Sequence, residues 1–197
     1  NIPHILKKTG QEYNIPEWLQ KLTSDPQSCV EVHRCEDEGP ATKYLPTMRR
    51  LISENRLDQR VFVYDDDSII VPGTLEILQR GAQRYPDAVI CVEARVFSQH
   101  KPFGAENWRQ STYFRGSDLS EPRNAHVVLG HMGFSLTPRM VASTLSELET
   151  NLANWEKWPK AAFFVDDIVM SAALARNRVS RIVYPGLHPK QISRAAY

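Results

Sequence analysis

Val61-Phe62-Val63-Tyr64-Asp65-Asp66-Asp67 is the stretch on which the reading of this chain turns. Four apolar or aromatic residues in unbroken succession make a short strand of the kind buried on both faces, as in parallel sheets. Three carboxylates follow at once. Side chains alternate along an extended backbone, so Asp65 and Asp67 point one way and Asp66 the other. Two carboxylates on one side repel, at a cost that only a cation or a proton between them removes. A hard divalent ion, Mg²⁺ or Mn²⁺, prefers such oxygen ligands and leaves positions open for phosphate oxygens. The competing reading is a turn, since aspartate is common at strand ends and helix caps.

Working outward, strands and helices alternate. Val30 to Arg34 reads as a strand from its apolar–polar alternation. Ala88 to Val92 is a second buried strand, and Ala125 to Leu129 and Ser180 to Tyr184 two more. Leu45, Met48, Leu51 and Ile52 recur at helical spacing, as do Leu75, Leu78 and Ala82 within 72–85. Residues 17–22 form a short amphipathic helix, 138–158 a longer one bounded by Pro138 and Pro159, and 168–175 another. Residues 98–126 lose periodicity and read as a long surface loop. This order predicts an α/β domain around a mostly parallel sheet flanked by helices. In such sheets ligands sit beyond the carboxyl ends of the strands, where the aspartate triplet lies.

The chain has 197 residues, with 24 Lys plus Arg against 23 Asp plus Glu, a net charge of +1. We expect one domain over 1–197, with an irregular segment at 1–28. So even a balance offers no field to gather nucleic acid or an anionic membrane, so an anionic ligand needs a local site. Cys29, Cys35 and Cys91 are too few and too scattered for a disulfide framework, and Cys29, His33 and Cys35 lack the second pair of ligands a zinc site needs. Apolar runs stay far below the roughly 20 residues of a membrane span. No signal-peptide pattern opens the chain. The compartment is left open: cytoplasm is favoured, with the secretory lumen as the alternative if a longer chain carries an anchor.

A second acidic pair follows a second apolar run, where Phe163-Phe164-Val165 leads into Asp166-Asp167 and a helix. One aspartate there suffices to cap the helix. The other is free to act as a general base beside a reacting hydroxyl.

Together these stretches resemble a nucleotide-sugar glycosyltransferase of the GT-A type, a Rossmann-like fold. Val61 to Ile70 resembles its strand ending in the DxD metal motif. Cys35-Glu36-Asp37-Glu38-Gly39-Pro40-Ala41-Thr42-Lys43 resembles the D-x-G-P-A-T-K segment of a bacterial, algal and viral branch. Gly130-His131-Met132-Gly133-Phe134-Ser135 resembles the glycine turn beside the acceptor pocket, and Phe164 to Ser171 the late acidic motif that supplies the base in inverting members. The resemblance covers residues 28–190 loosely. It implies Mn²⁺ or Mg²⁺ held by Asp67, with Asp65 sharing the ion and His188 closing its shell. It implies a donor nucleotide, UDP-sugar first, against Asp37, Thr42, Lys43, Asp65 and Asp66, with Lys190 near the diphosphate. It implies a carbohydrate acceptor near Gly133, Asp166 and the aromatics Trp108, Tyr113 and Phe114, with Asp167 as base. Nothing before residue 28 reads as the family's first strand, so that strand is expected to be missing or replaced. Two other readings stand beside this one. One is a haloacid-dehalogenase-like phosphatase, with Asp65 as nucleophile, Asp67, Asp166 and Asp167 as its other acidic positions and Lys101 as its lysine. The other is a non-catalytic sugar- or nucleotide-binding relative.

Overall fold

The computed structural model describes residues 1–65, 68–70, 72–97, 105–146, 166–186 and 190–191. Its strands, in chain order, are β1 (Ile2–Pro3), β2 (Arg34–Cys35), β3 (Val61–Val63), β4 (Ser68–Ile69), β5 (Ala88–Cys91), β6 (Glu93–Val96), β7 (Thr112–Arg115), β8 (Arg123–Asn124), β9 (Val127–Val128), β10 (Phe134–Leu136), β11 (Ser180–Val183) and β12 (Lys190–Gln191). Its α-helices among the described residues are α1 (Glu17–Ser24), α2 (Leu45–Ser53), α3 (Thr74–Arg84), α4 (Ala105–Gln110) and α5 (Asp166–Arg176). The mixed α/β class expected from the alternation of elements is present.

The central sheet has five strands in the order β3-β10-β5-β11-β8. It is mixed, which corrects the expectation of a mostly parallel sheet. β5 and β11 pair in parallel, whereas β10 is antiparallel to both β3 and β5, and β8 is antiparallel to β11. It follows that β3, β5 and β11 run one way and β10 and β8 the other. β10 is the strand the sequence hid: Phe134-Ser135-Leu136 is three residues long, and all three are fully buried. By inserting between β3 and β5 it moves β3 to the sheet edge among the described residues. Val61 and Phe62 are accordingly half-buried rather than enclosed.

β5 shows why the core has two sides. Its residues alternate, as in any strand, and both faces are buried. Val89 and Cys91 face a cluster with Tyr44, Leu45 and Met48 at the start of α2 and Met170 and Leu174 of α5. Ala88 and Ile90 face another with Leu78 of α3, Met132 and Ile182. Helices therefore cover both sheet faces. α3 approaches so closely that a Cβ on Gly81 would meet Ile90 Cγ2 at 2.6 Å. The face of α3 that packs is Thr74, Ile77, Leu78 and Gly81, while Leu75, expected inside, is 50% exposed.

Other expectations need correction. β1 does exist at the start of the chain and pairs in parallel with β2, so residues 1–28 are not simply irregular. The strand expected at 30–34 shrinks to Arg34–Cys35. The supposed loop at 98–126 holds α4, β7, a 3₁₀ turn at Gly116–Asp118 and β8. β7 and β9 flank β6 in a second, wholly antiparallel sheet. In place of a helix from 138, two 3₁₀ turns occupy Pro138–Met140 and Ala142–Thr144, and most of the rest of that expected helix lies outside the described residues. Among the described residues, no helix is long and apolar enough to cross a membrane. The three cysteines are free.

Candidate active site at the carboxyl edge of the sheet

Because β3, β5 and β11 run together, their carboxyl ends share one edge, and β10, running back, begins there. Three separate segments bring charge to that edge. Asp65 follows β3. Lys43 ends a 3₁₀ turn, Ala41–Lys43, set up by Gly39-Pro40. Gly39 has φ +61° and Pro40 φ −58°, a pairing that glycine and proline adopt without strain. Asp166 and Asp167 open α5.

Lys43 joins them. Its Nζ lies 3.0 Å from Asp65 Oδ1 and 3.6 Å from Asp166 Oδ2, an ion pair too long to be a hydrogen bond. All three side chains are largely buried, at 15%, 23% and 5% exposed. Burial alone would pull the Lys43 ammonium down, but Asp166, Asp65 and Asp167 together outweigh it and raise it. Burial also raises the Asp166 carboxyl, against the pull of Lys43. Asp167 is pushed up to about 7, by burial first and by Asp166 second, while Lys43 and the Gly130 N–H oppose the rise. That N–H donates to Asp167 Oδ1 at 2.9 Å. Asp166, expected near an acceptor, is itself only 3% exposed. Its Oδ2 and the hydroxyl of Tyr44 are buried without a hydrogen-bond partner among the described residues.

Lys43 and Asp65 also line a cleft of about 610 Å³, a size that suits a small-molecule ligand. Its far wall comes from the N-terminal segment, with Leu6, Tyr13, Pro16 and Trp18. Asp37 fastens that wall to the Lys43 turn: its Oδ2 accepts from the Lys7 N–H and its Oδ1 from the Gly39 N–H, both at 2.8 Å. Thr42 Oγ1 accepts from the Glu38 N–H at 2.8 Å. Asp37 and Thr42 thus shape the cleft as well as line it. A second cavity, of about 480 Å³, lies beyond the amino ends of β3, β5 and β11, and its arginines are engaged. Arg139 is bidentate to Asp58 at 2.6 Å, and Arg60 donates to the carbonyls of Ala88 and Pro86.

Several predicted site residues find other work or lie out of view. Asp66, Asp67, His188 and Lys101 lie outside the described residues. Gly133 is buried with φ +100°, and a Cβ there would meet the Tyr64 ring at 2.7 Å, so the close neighbour it admits is Tyr64. Phe114 packs against the core. Tyr113 instead donates its hydroxyl to Glu93, which is 2% exposed, and Trp108 stacks over Arg95. His131 Nε2 and Arg115 Nε each stand 3.8 Å from Glu93. Gly130 was missed as a functional position. It has no side chain where a Cβ would lie 2.7 Å from Asp167 Oδ1 and 3.1 Å from Lys43 Nζ.

A metal ion fits the described part of the site in charge, since the three carboxylates of Asp65, Asp166 and Asp167 face the one ammonium of Lys43. Among the described residues, no three His, Cys, Asp or Glu side chains converge closely enough to hold an ion by themselves. Compared with known proteins, the chain matches no family model and no curated protein.

Proposed function

We propose that this chain is a metal-dependent glycosyltransferase of the GT-A type, which moves a sugar from a nucleoside-diphosphate sugar, UDP-sugar first, to an acceptor hydroxyl with inversion. The observation that carries the reading is the meeting of Asp65, Lys43 and the Asp166-Asp167 pair, with Lys43 and Asp65 lining the 610 Å³ cleft. The antiparallel pairing of β12 with β4 adds support. It sets Lys190 opposite Ile69, which brings the chain two residues after His188 beside the chain two residues after Asp67.

In this reading the nucleoside lies along the wall of Leu6, Tyr13 and Trp18, and the diphosphate reaches Lys43. Asp67, with Asp65 and His188, would hold Mn²⁺ or Mg²⁺, which would supply neutralisation of the charge that develops on the leaving diphosphate. Asp167 takes the acceptor proton. With Oδ1 fixed by Gly130, its Oδ2 is the oxygen left to receive it, and a carboxyl near 7 is matched to a base working at neutral pH. As that proton moves, the acceptor oxygen bonds to the anomeric carbon and the bond to the diphosphate oxygen breaks. Asp166, buried against Lys43, holds the ammonium in place.

The test is release of UDP or GDP from their sugars in the presence of Mn²⁺. Asp167→Asn should lower kcat by about 10²–10⁴, the range for a general base, with nucleotide affinity unchanged. Unchanged turnover would remove Asp167 as base, and lost nucleotide binding would make its role structural. Capture of beryllofluoride on Asp65 would favour the phosphatase instead, since only a nucleophilic aspartate traps that phosphoryl mimic.

A further inference from the structure

Lys43 does more in this geometry than line the cleft. Its ammonium already sits on Asp65, the one described carboxylate that the metal reading needs. It reaches that point past Gly130, whose missing Cβ would stand 3.1 Å from Nζ. It cannot withdraw freely. Asp166 lies 3.6 Å away and is 3% exposed, with an Oδ2 that has no hydrogen-bond partner among the described residues. Pulling the ammonium out would strand a buried carboxylate without its counter-charge, which is strongly unfavourable. A cation arriving at Asp65 while Lys43 stays would place like charges side by side. Either way, an ion entering alone meets resistance. A diphosphate changes this, because it brings anionic oxygens into the cleft that Lys43 itself lines, and the ammonium can turn to them without leaving the site.

We infer that Lys43 is a built-in counter-ion that gates divalent-cation binding at the end of β3, competing with the ion for Asp65 until a diphosphate engages the ammonium. Cation and diphosphate then bind as a positively coupled pair, each raising the affinity for the other by the same factor. Thr42, next in the same turn, is spoken for by the Glu38 N–H, so the gate is the lysine alone. This inference rests on the metal-dependent reading above and concerns the order in which that site fills.

The experiment measures Mn²⁺ binding rather than turnover, from the paramagnetic resonance signal of free Mn²⁺ in titrations of the whole chain without nucleotide. Lys43→Met and Lys43→Gln both remove the charge, and Gln keeps hydrogen-bonding capacity should Met unsettle the fold. Each folded variant should bind Mn²⁺ at least tenfold more tightly than the wild type, and Lys43→Arg, which keeps the charge, should not. A parallel titration of UDP at saturating Mn²⁺ follows the wild type. Equal or weaker Mn²⁺ affinity in the neutral variants, with the wild type still taking up UDP in a Mn²⁺-dependent way, would overturn the gate and leave the metal reading standing. Failure of every protein to bind Mn²⁺, with UDP or without it, would overturn the metal reading and the gate together.

Discussion

Asp167→Asn removes one ionisable group from the site and almost nothing of its shape. The Asp167 carboxyl stands at about 7 in the folded chain against an ordinary 3.8. At about 1.4 kcal/mol for each tenfold step, its ionisation costs the folded state on the order of 4 kcal/mol more than the unfolded one. The sign follows from linkage. The folded state holds this proton more tightly, so the group's contribution to stability is whole below about pH 4 and is lost as pH rises through about 7. Asn carries no such loss and can still accept the Gly130 N–H. Part of the gain returns, because Lys43 gives up one of its three carboxylate neighbours. The net expectation is that Asp167→Asn is more stable than the wild type by about 1–4 kcal/mol above pH 7.5, and that the gap closes toward pH 4. For a chain of this size that is roughly 2–4 °C in Tm per kcal/mol. Thermal or urea melts of both proteins at pH 4.5, 6 and 8 read it directly. A gap that does not change with pH, or a variant less stable at pH 8, would show that Asp167 is not a carboxyl held back from ionising. The base assignment would lose its physical footing.

Two more substitutions probe the same edge. Gly130→Ala puts a methyl 2.7 Å from Asp167 Oδ1 and 3.3 Å from Phe134 Cε1. It should cost about 1–3 kcal/mol as overpacking in urea melts and cut turnover by at least about tenfold by displacing the base; a variant with full turnover would separate Gly130 from the site. Tyr44→Phe deletes a fully buried hydroxyl that has no partner among the described residues. It should be neutral or stabilising by up to about 1 kcal/mol, and a loss of more than that would mean the hydroxyl is bonded after all.

What the sequence told in advance follows the reach of each signal. α2 was legible because its buried Leu45, Met48 and Leu51 recur at helical spacing, and β5 because Ala88-Val89-Ile90-Cys91 is apolar without a break; α3 was placed, but Leu75 drew its packed face to the wrong side. Strands of two or three residues show only where a longer apolar run surrounds them, as at β3 and β9. β8 is two polar residues and β10 follows directly on the glycine turn, so neither stands out, and with β10 the direction of the sheet is lost. β7 was read as loop because the glycines and prolines around it outweighed its own alternation, in which Phe114 packs on the core while Tyr113 and Arg115 turn toward Glu93. The site divides in the same way. Asp65 and the Gly39-Pro40-Ala41-Thr42-Lys43 turn are local patterns, and the structure sets both along one cleft. Gly130 touches a carboxylate 37 residues away, and no pattern along the chain announces such a contact. Gly133, expected beside an acceptor, requires glycine for its φ of +100° and for the Tyr64 ring packed against it, a contact that no local pattern carries.

The central claim, that the cleft beside Asp65 and Lys43 takes a nucleoside diphosphate together with a divalent ion, is tested most directly by calorimetric titration of UDP and GDP into the whole chain with and without Mn²⁺. The account predicts a saturable heat for one nucleotide that depends on Mn²⁺ and disappears in Asp65→Asn. Heats that are absent for both nucleotides, or that are indifferent to Mn²⁺ and to Asp65, would contradict it.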